Sequence, residues 1–416
     1  MERVISVAGM AAMVFIAWLI SYDRRNFPWR VVLWGTALQI IFALIILGTR
    51  PGEIAFDWLA KQITAFLGFT RYGTEFLFGN IVKPEHRDTF GAQFAFGILP
   101  TIIFFSSVMS LAYYFGVMQK VVEAIAKVMS KTMGTSGVES LCAAANIFVG
   151  QTEAPLIIKP YVPTTTNSEL VAVMISGFAT IAGGVMAIYI SFGIPAQHIL
   201  AACVMSAPAA LIMAKVILPE KGEPLTKGQV KASVEKGASN MIEAAANGAG
   251  DGLRLALNVG AMLIAFIALI EVVNALMGLI HNALVAINFP YFPQRLSVLF
   301  GWIFSPLAWL LGVPWKDCLE FGNLLGIQIS INEFVAYLRL AELIKTGAIS
   351  ERAGIIATYA ICGFANFSSI AIQIAGIGGL APERRSDIAR FGMRAMFGGV
   401  LASCMTAAIA GILIGG

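Results

Sequence analysis

Two apolar stretches of this chain carry polar side chains that could bind a solute. Gln151, Thr152 and Glu153 lie within SLCAAANIFVGQTEAPLIIKPYV, and Asn332 and Glu333 lie within DCLEFGNLLGIQISINEFVAYLRLAELIK. Amides donate and accept hydrogen bonds, whereas ionised carboxylates only accept them. No Ser/His pair, paired aspartates or metal-ligand set accompanies these residues in the sequence. The pattern therefore indicates binding of a polar molecule rather than catalysis.

The apolar segment that follows each stretch is also interrupted. GFATIAGGVMAIYI contains Thr180, Gly183 and Gly184, and CGFANFSSIAIQIAGIGG contains Asn366 and Ser369. Purely structural explanations exist for several of these residues and for the two glutamates. A protonated glutamate can pack beside a neighbour, glycines allow close helix packing, and a serine can bond to its own helix. Asn366 is harder to explain in this way, because an amide needs three or four partners.

The composition indicates where these polar residues lie. The 416 residues are 58% hydrophobic and only 12% charged, and the mean hydropathy is +0.80. Soluble domains carry about 25% charged residues. Most of this chain therefore avoids water, and the protein belongs to the polytopic membrane class. The net charge of +4 does not suggest nucleic-acid binding.

Other residue types exclude further functions. The five cysteines lie in apolar stretches without a CxxC spacing, so we interpret them as packing residues. The three histidines are far apart and outside any HExxH pattern, which excludes a zinc protease of that type. The sequence has no GxxxxGKS or GxxxxGKT motif for ATP hydrolysis. An ion gradient is the remaining obvious energy source.

Hydropathy and the positions of basic residues predict eight membrane spans with both termini outside. Residues 53–69 are predicted to lie in the interface because they are less apolar and amphipathic. Residues 295–312 are also predicted not to cross, since they are short and contain Pro306. The predicted spans are residues 4–21, 30–49, 93–118, 168–192, 197–218, 254–280, 353–379 and 388–414.

The stretches at 136–163 and 317–345 fit no span and are predicted to be re-entrant hairpins. Irregular backbone at membrane depth is tolerated only within protein or beside a watery cavity, so the hairpin tips mark a site. The span count places the first hairpin on the cytoplasmic side and the second outside. Two such units of opposite orientation form an inverted repeat, which is the architecture of secondary transporters.

This all-α architecture predicts four parts of the chain. Residues 1–118 form scaffold helices and an interfacial helix, and residues 119–218 form the first transport-domain repeat. Residues 219–316 contain a cytoplasmic linker, a long scaffold helix and a second interfacial helix. Residues 317–416 form the second transport-domain repeat. The linker is predicted to extend from Lys215 to Lys236, because this segment is the most polar of the chain.

Three motifs resemble those of a known family. GQTEAP at 150–155, NEFVAY at 332–337 and CGFANFSSIAI at 362–372 resemble the bacterial concentrative nucleoside transporters, in the same order and over nearly the whole chain. The resemblance implies an elevator-type homotrimer in the bacterial inner membrane. Each protomer would import nucleosides by alternating access, driven by a sodium gradient. The resemblance implies no enzymatic activity and no cofactor besides Na+ as the coupling ion.

The resemblance also assigns a nucleoside site to the hairpin tips and the interrupted segments. The implied base contacts are Gln151, Thr152 and Glu153 of the first hairpin, with Val185 of the following helix nearby. The implied ribose contacts are Glu333, Asn366 and Ser369, with Phe364 packing against sugar and base. These types suit an uncharged solute whose base edge needs an amide and whose vicinal hydroxyls need carboxylate acceptors.

The sodium site of the family falls on four residues of this sequence. The side chains of Asn146 and Thr180 and the carbonyls of Val149 and Ile181 match its ligands. Some relatives have serine at position 180, and threonine keeps the hydroxyl. Sodium is a hard cation that prefers oxygen ligands, which an unwound hairpin tip supplies.

Four alternatives remain at this stage. A carboxylate or phosphate transporter of another elevator type would need positive charge at the tips, and these tips carry carboxylates. A channel would need a continuous pore with polar rings rather than two dead-end hairpins. An intramembrane enzyme would need a catalytic set. Proton coupling within the same fold is the most serious alternative, because Glu153 or Glu333 could carry the proton.

Overall fold

A computed structural model describes residues 2–86, 89, 93–229, 231, 238–289 and 291–414. These residues form helices joined by loops, without a strand in the described part of the chain. A π-helical turn at Phe94–Ile98 leads into the fifth helix. The N-terminal helices are α1 (Glu2–Leu19), α2 (Trp29–Leu47), α3 (Arg50–Gly68), α4 (Thr70–Phe78), α5 (Pro100–Tyr114) and α6 (Val117–Met133).

The first hairpin has two unlike limbs. Its ascending limb is the α-helix α7 (Gly137–Asn146), and its returning limb is the 3-10 helix Ala154–Thr164. We expected two half-helices without distinguishing their type. The returning limb contains Pro160 and Pro163, which lack the N–H that α-helical hydrogen bonding requires. The helices that follow are α8 (Asn167–Phe178), α9 (Gly183–Ser191) and α10 (Ala196–Ile217).

The second hairpin is more regular. Both limbs are α-helical, and only Ile331 and Asn332 separate them. The limbs of the hairpin are α13 (Cys318–Ser330) and α14 (Glu333–Thr346). The long helix α11 (Met241–Val285) and the short helix α12 (Leu296–Leu310) precede it, and α15 (Glu351–Ala360), α16 (Phe367–Leu380) and α17 (Arg385–Leu413) follow it.

Seven helical segments in the described part of the chain are long and apolar enough to cross a membrane. The predicted span at 353–379 is not among them, because residues 361–366 divide it into α15 and α16. The predicted interruption of the 168–192 span is also confirmed, since α8 ends at Phe178 and α9 begins at Gly183. Helix α12 has 15 residues, fewer than the roughly 20 that crossing requires.

Two boundaries differ from the sequence prediction. The predicted span at 254–280 is part of the 45-residue helix α11, which begins at Met241. Lys215 belongs to α10 rather than to a polar linker, and it is buried. Its ammonium pairs with Glu139 and Glu220, which explains how a lysine is tolerated inside an apolar helix. Lys236, the predicted end of the linker, lies outside the described residues.

The helices divide into a buried group and an exposed group. Most residues of α8, α10 and α17 are buried, whereas few residues of α1, α5 and α11 are. Close packing within the buried group depends on small residues, and a Cβ at Gly399 of α17 would overlap Phe178 of α8. The five cysteines are buried free thiols, in agreement with the packing interpretation.

Candidate functional site

Two helix-capping asparagines determine where the polar residues of the second hairpin and of α16 lie. Asn332 caps α14 by accepting a 3.0 Å hydrogen bond from the Val335 N–H, and Asn366 caps α16 by accepting a 2.9 Å bond from the Ser369 N–H. Asparagine is a preferred capping residue because its side chain replaces a missing backbone acceptor. Glu333 is consequently the first residue of α14, where the helix dipole favours a carboxylate.

The Glu333 carboxylate is buried and has two donors. The Tyr189 hydroxyl donates to Oε1 at 3.0 Å, and the Asn366 amide donates to Oε2 at 3.4 Å. Tyr189 lies on α9 and stacks on Tyr337, with 4.1 Å between ring centroids. Sequence analysis missed Tyr189, whose position inside an apolar helix gave no signal. Its role becomes visible only when α9 packs against the second hairpin.

The first hairpin tip joins this network through an amide. Gln151 is buried, and its Nε2 donates to the Ser369 hydroxyl at 3.1 Å. Its Oε1 accepts a 3.0 Å bond from Nε2 of Gln373 on α16, and the same nitrogen donates to the Met174 carbonyl at 3.0 Å. Gln373 was also missed by sequence analysis. A continuous polar line thus connects the first hairpin tip to Glu333 of the second.

The three predicted base contacts do not all face the same way. Thr152 lies against α16, since a Cβ at Gly376 would be 3.0 Å from its Cγ2. Glu153 is exposed and folds back over the tip, where a Cβ at Gly150 would be 2.5 Å from its Oε2. Glu153 lines a cavity of about 860 Å³ between the first hairpin and helices α5 and α11. Asp251 and Arg254 of α11 line the same cavity.

We call the non-helical residues 179–182, between α8 and α9, the first break, and residues 361–366, between α15 and α16, the second break. The predicted cation ligands surround the start of the first break. Asn146, Val149, Thr180 and Ile181 are all buried. The Asn146 Nδ2 donates to the Cys142 carbonyl and the Ser176 hydroxyl at 3.0 and 3.2 Å, whereas its Oδ1 has no hydrogen-bond partner. A buried oxygen without a donor is costly unless something electropositive meets it. The oxygens assembled here fit a hard cation such as sodium.

The two breaks are bonded to each other. The Phe364 N–H in the second break donates to the Thr180 carbonyl in the first at 3.2 Å. The Gly183 N–H donates to the Phe148 carbonyl of the first hairpin at 3.2 Å, an approach that a Cβ at Gly183 would obstruct. Phe364 is half-buried and Val185 is buried at the start of α9. The predicted cation ligands and the predicted nucleoside contacts are therefore joined by a backbone hydrogen bond.

A buried charged cluster fixes the base of the first hairpin. Ser136 begins α7 with a capping box that includes Glu139, and Thr166 begins α8 with one that includes Glu169. Lys215 pairs with Glu139 and also donates to the Ser168 hydroxyl at 2.8 Å. The start of the hairpin and the helix that follows it are thus tied to the end of α10.

Sequence profiles of nucleoside transporters match most of this chain. The profiles described as the N-terminus and the C-terminus of the Na+ dependent nucleoside transporters match residues 8–81 and 198–411. A profile named Gate and described as nucleoside recognition matches residues 95–196. The three matches occur in chain order and include both hairpins.

Curated relatives are similar over nearly the whole chain. The uncharacterized transporter YutK of Bacillus subtilis (strain 168) is 43% identical over 407 residues, which are 98% of each protein. Solute carrier family 28 member 3 of Rattus norvegicus is 43% identical over an alignment of 426 positions, which covers 99% of this chain and 59% of the relative. The chain thus spans less than two thirds of the length of that relative, and 61% of the corresponding protein of Eptatretus stoutii.

Solved structures of CNTnw have the same fold. CNTnw in an inward-facing substrate-bound state has a TM-score of 0.92 and 39% sequence identity, covering 99% of this chain and 98% of that chain. A variant of CNTnw in the intermediate 1 state has a TM-score of 0.93 and 40% identity, covering 100% of both chains. Agreement at this level over the full length extends to the hairpins and the broken helices.

Proposed function

Because the chain belongs to the concentrative nucleoside transporter family, a family of transporters and not of enzymes, we propose that it is a secondary active symporter that imports nucleosides. The proposed location is the bacterial inner membrane, in which the chain is a multi-pass protein. The proposed driving force is a sodium gradient. The name of the matching profile, Na+ dependent nucleoside transporter, supports this coupling ion.

The polar line between the two hairpin tips is the observation that carries this proposal. It has an amide at one end, Gln151, and a carboxylate at the other, Glu333, with Ser369 and Asn366 between them. A nucleoside has the same polarity, with a base edge of donors and acceptors at one end and vicinal hydroxyls at the other. In the proposed pose Gln151 and Thr152 contact the base, and Glu333 accepts hydrogen bonds from the ribose hydroxyls.

The remaining predicted contacts complete the proposed nucleoside site. Asn366 and Ser369 contact the ribose, and the half-buried ring of Phe364 packs against sugar and base. Val185 lies at the start of α9, beside the first break. Glu153 takes part from the cavity side of the first hairpin tip, where it is exposed rather than bonded to the polar line.

We place the proposed sodium ion at Asn146 and Thr180, with the carbonyls of Val149 and Ile181. The unpartnered Asn146 Oδ1 supports this assignment. Bound sodium would hold the first break in its present shape, and the Thr180 carbonyl bonds directly to Phe364 of the nucleoside site. Sodium and nucleoside would then strengthen each other's binding, as linkage requires.

The transport cycle that we propose is an elevator movement. The buried helices, together with both hairpins, would form the transport domain in two repeats, 119–218 and 317–416. The exposed helices of 1–118 and 219–316 would form the scaffold and the contacts of a homotrimer. Both termini would lie outside, with the first hairpin opening to the cytoplasm and the second to the outside.

Uptake into liposomes tests this proposal. Labelled uridine and, separately, labelled adenosine are offered to liposomes that contain the purified protein under an inward sodium gradient, an inward proton gradient, or neither. Accumulation that requires sodium supports the symporter and the Asn146 and Thr180 ion site. Accumulation driven only by protons keeps the nucleoside site and moves the coupling role to Glu153 or Glu333. Failure to take up any nucleoside under all conditions refutes the proposed function.

A further inference from the structure

A glutamine that belongs to neither hairpin controls the hydrogen bonding of the first hairpin tip. Gln373 lies on α16, one turn after Ser369, and is fully buried. Its Nε2 donates to the Met174 carbonyl of α8 and to Gln151 Oε1, both at 3.0 Å. Gln373 therefore contacts the amide that would meet the base, while it is too deeply buried to meet the base itself.

The orientation of both amides follows from the Met174 carbonyl. A backbone carbonyl only accepts hydrogen bonds, so the nitrogen of Gln373, and not its oxygen, must face it. The same nitrogen faces Gln151, which must turn its oxygen inward to accept. The Gln151 NH2 group is therefore directed away from Gln373, toward Ser369 and the proposed nucleoside site.

Neither the Ser369 hydroxyl nor the packing around the two amides opposes this orientation of the Gln151 amide. A hydroxyl donates or accepts, so Ser369 would tolerate either orientation of the Gln151 amide, and only Gln373 selects one. The backbone of α8 also approaches closely at Gly177. A Cβ there would be 2.8 Å from Gln151 Cβ and 3.0 Å from Gln373 Nε2. The two amides are thus packed in place and not only bonded.

From this geometry we infer that Gln373 is a specificity-determining residue that makes Gln151 a hydrogen-bond donor to the base. The inference rests on the proposed function. A donor at this position matches a base whose exocyclic group at that edge is a keto oxygen, and it opposes an amino group, which also donates. The transporter therefore prefers uridine to cytidine and inosine to adenosine.

Competition experiments on the reconstituted protein test this preference. Inhibition constants of uridine, cytidine, inosine and adenosine are measured against sodium-driven uptake of labelled uridine. We expect each keto nucleoside to bind about tenfold more tightly than its amino counterpart, because a buried polar group that meets an unmatched partner loses binding. Equal affinities, or tighter binding of the amino nucleosides, would overturn the inference.

The variant Gln373→Glu tests the cause of the preference. The new side chain has the same shape, and its carboxyl group is protonated because it is fully buried against the Met174 carbonyl. Its hydroxyl donates to that carbonyl, and the same oxygen accepts from Gln151 Nε2. The Gln151 amide then turns its oxygen to the solute. We expect the keto-to-amino affinity ratio to fall at least about tenfold, with cytidine and adenosine gaining relative to uridine and inosine. An unchanged ratio in a variant that still transports would overturn the assigned role.

Two further variants keep the result interpretable. Gln151→Glu replaces the proposed donor by an acceptor at the base and should lower the same ratio, so it replaces Gln373→Glu if that variant fails to fold. Gln328→Glu is the matched control, because Gln328 is another buried glutamine whose Nε2 donates to a carbonyl, that of Gly363 at 3.1 Å. It should weaken all four nucleosides alike and leave the ratio unchanged. A wild-type protein that recognises no nucleoside would instead refute the proposed function.

Discussion

The two hairpins have similar positions but contribute different chemistry. The first tip is irregular from Ile147 to Glu153 and is followed by a 3-10 helix, whereas the second tip has only Ile331 and Asn332 between two α-helices. Irregular backbone leaves carbonyl oxygens available, which suits a cation. The N-terminus of a helix carries the positive end of the helix dipole, which stabilises a carboxylate such as that of Glu333. Backbone regularity therefore distinguishes the repeat proposed to bind the ion from the repeat proposed to bind the ribose.

The amides that face the two breaks show the same difference. Asn146 donates to Cys142 within its own helix and to Ser176, so its nitrogen does not bond to the carbonyls of the first break. Gln328 donates directly to the Gly363 carbonyl of the second break. The second break thus accepts a hydrogen bond from the Gln328 amide, whereas the first break accepts none from the Asn146 amide.

The bases of the hairpins differ as well. The first is tied by Lys215 in a buried cluster, whereas Arg339 of the second pairs with Glu320 and Glu342 at the surface. Removing one partner of a buried ion pair leaves an uncompensated charge, whereas exposed pairs contribute little. The first hairpin is therefore expected to be the more dependent on its charges.

The variant Lys215→Met tests this difference and should have the largest effect. We expect a loss of about 3–5 kcal/mol of stability, because Glu139 and Glu220 lose a buried cation. Thermal unfolding of the detergent-purified protein measures it. The matched variant Arg339→Met should cost about 0–1 kcal/mol. Similar losses from both substitutions would remove the proposed contrast between the two hairpin bases.

Glu333→Gln should have the next largest effect, on nucleoside binding. The ribose hydroxyls would lose an anionic acceptor worth about 1.5–3 kcal/mol, and the affinity for uridine should fall accordingly. Equilibrium binding to the purified variant measures this loss. Glutamine keeps the size of the side chain, so the unfolding temperature serves as the control. An unchanged uridine affinity would rule out the ribose contact of Glu333.

Asn146→Ala should act on sodium rather than on the fold. We expect the sodium concentration for half-maximal transport to rise about tenfold, which corresponds to about 1.4 kcal/mol. Gln328→Met is the matched variant in the second repeat, since it removes the donor to Gly363 while keeping the volume. It should lower nucleoside affinity without changing sodium binding in the absence of nucleoside. If both variants shift sodium binding, the two breaks do not differ as described.

Asp23→Asn should have the smallest effect, because the residue lies outside the hairpins in the loop between α1 and α2. Hydrogen bonds from Lys221, Asn26 and the Arg25 N–H lower the pKa of Asp23 to about 2, from 3.8. The contribution of this pair is complete above pH 3.8 and disappears as the pH falls toward 2. The variant should therefore lower the unfolding temperature slightly and equally at pH 5 and pH 7. A difference between these two pH values would contradict the assignment.

Much of the site could be predicted from the sequence because its residues are polar where the surrounding stretch is apolar. Gln151, Glu333 and Asn366 are polar within apolar stretches, and such residues at membrane depth are functional by default. Tyr189 and Gln373 gave no comparable signal, since one aromatic hydroxyl and one amide inside helical segments have many structural explanations. Lys215 was assigned to a linker for a related reason, because its acidic partner Glu139 is distant in sequence.

The sequence by itself determined the membrane class, the order of helices and hairpins, and the interruption of two spans, since these depend on local hydropathy and on breaks in it. Only the tertiary structure decided which groups meet. It pairs Gln151 with Ser369 and Gln373, which lie more than two hundred residues away, and it turns Glu153 away from them. The physical reason is that hydropathy depends on short windows of sequence, whereas hydrogen-bond partners and amide orientation depend on the packing of distant helices.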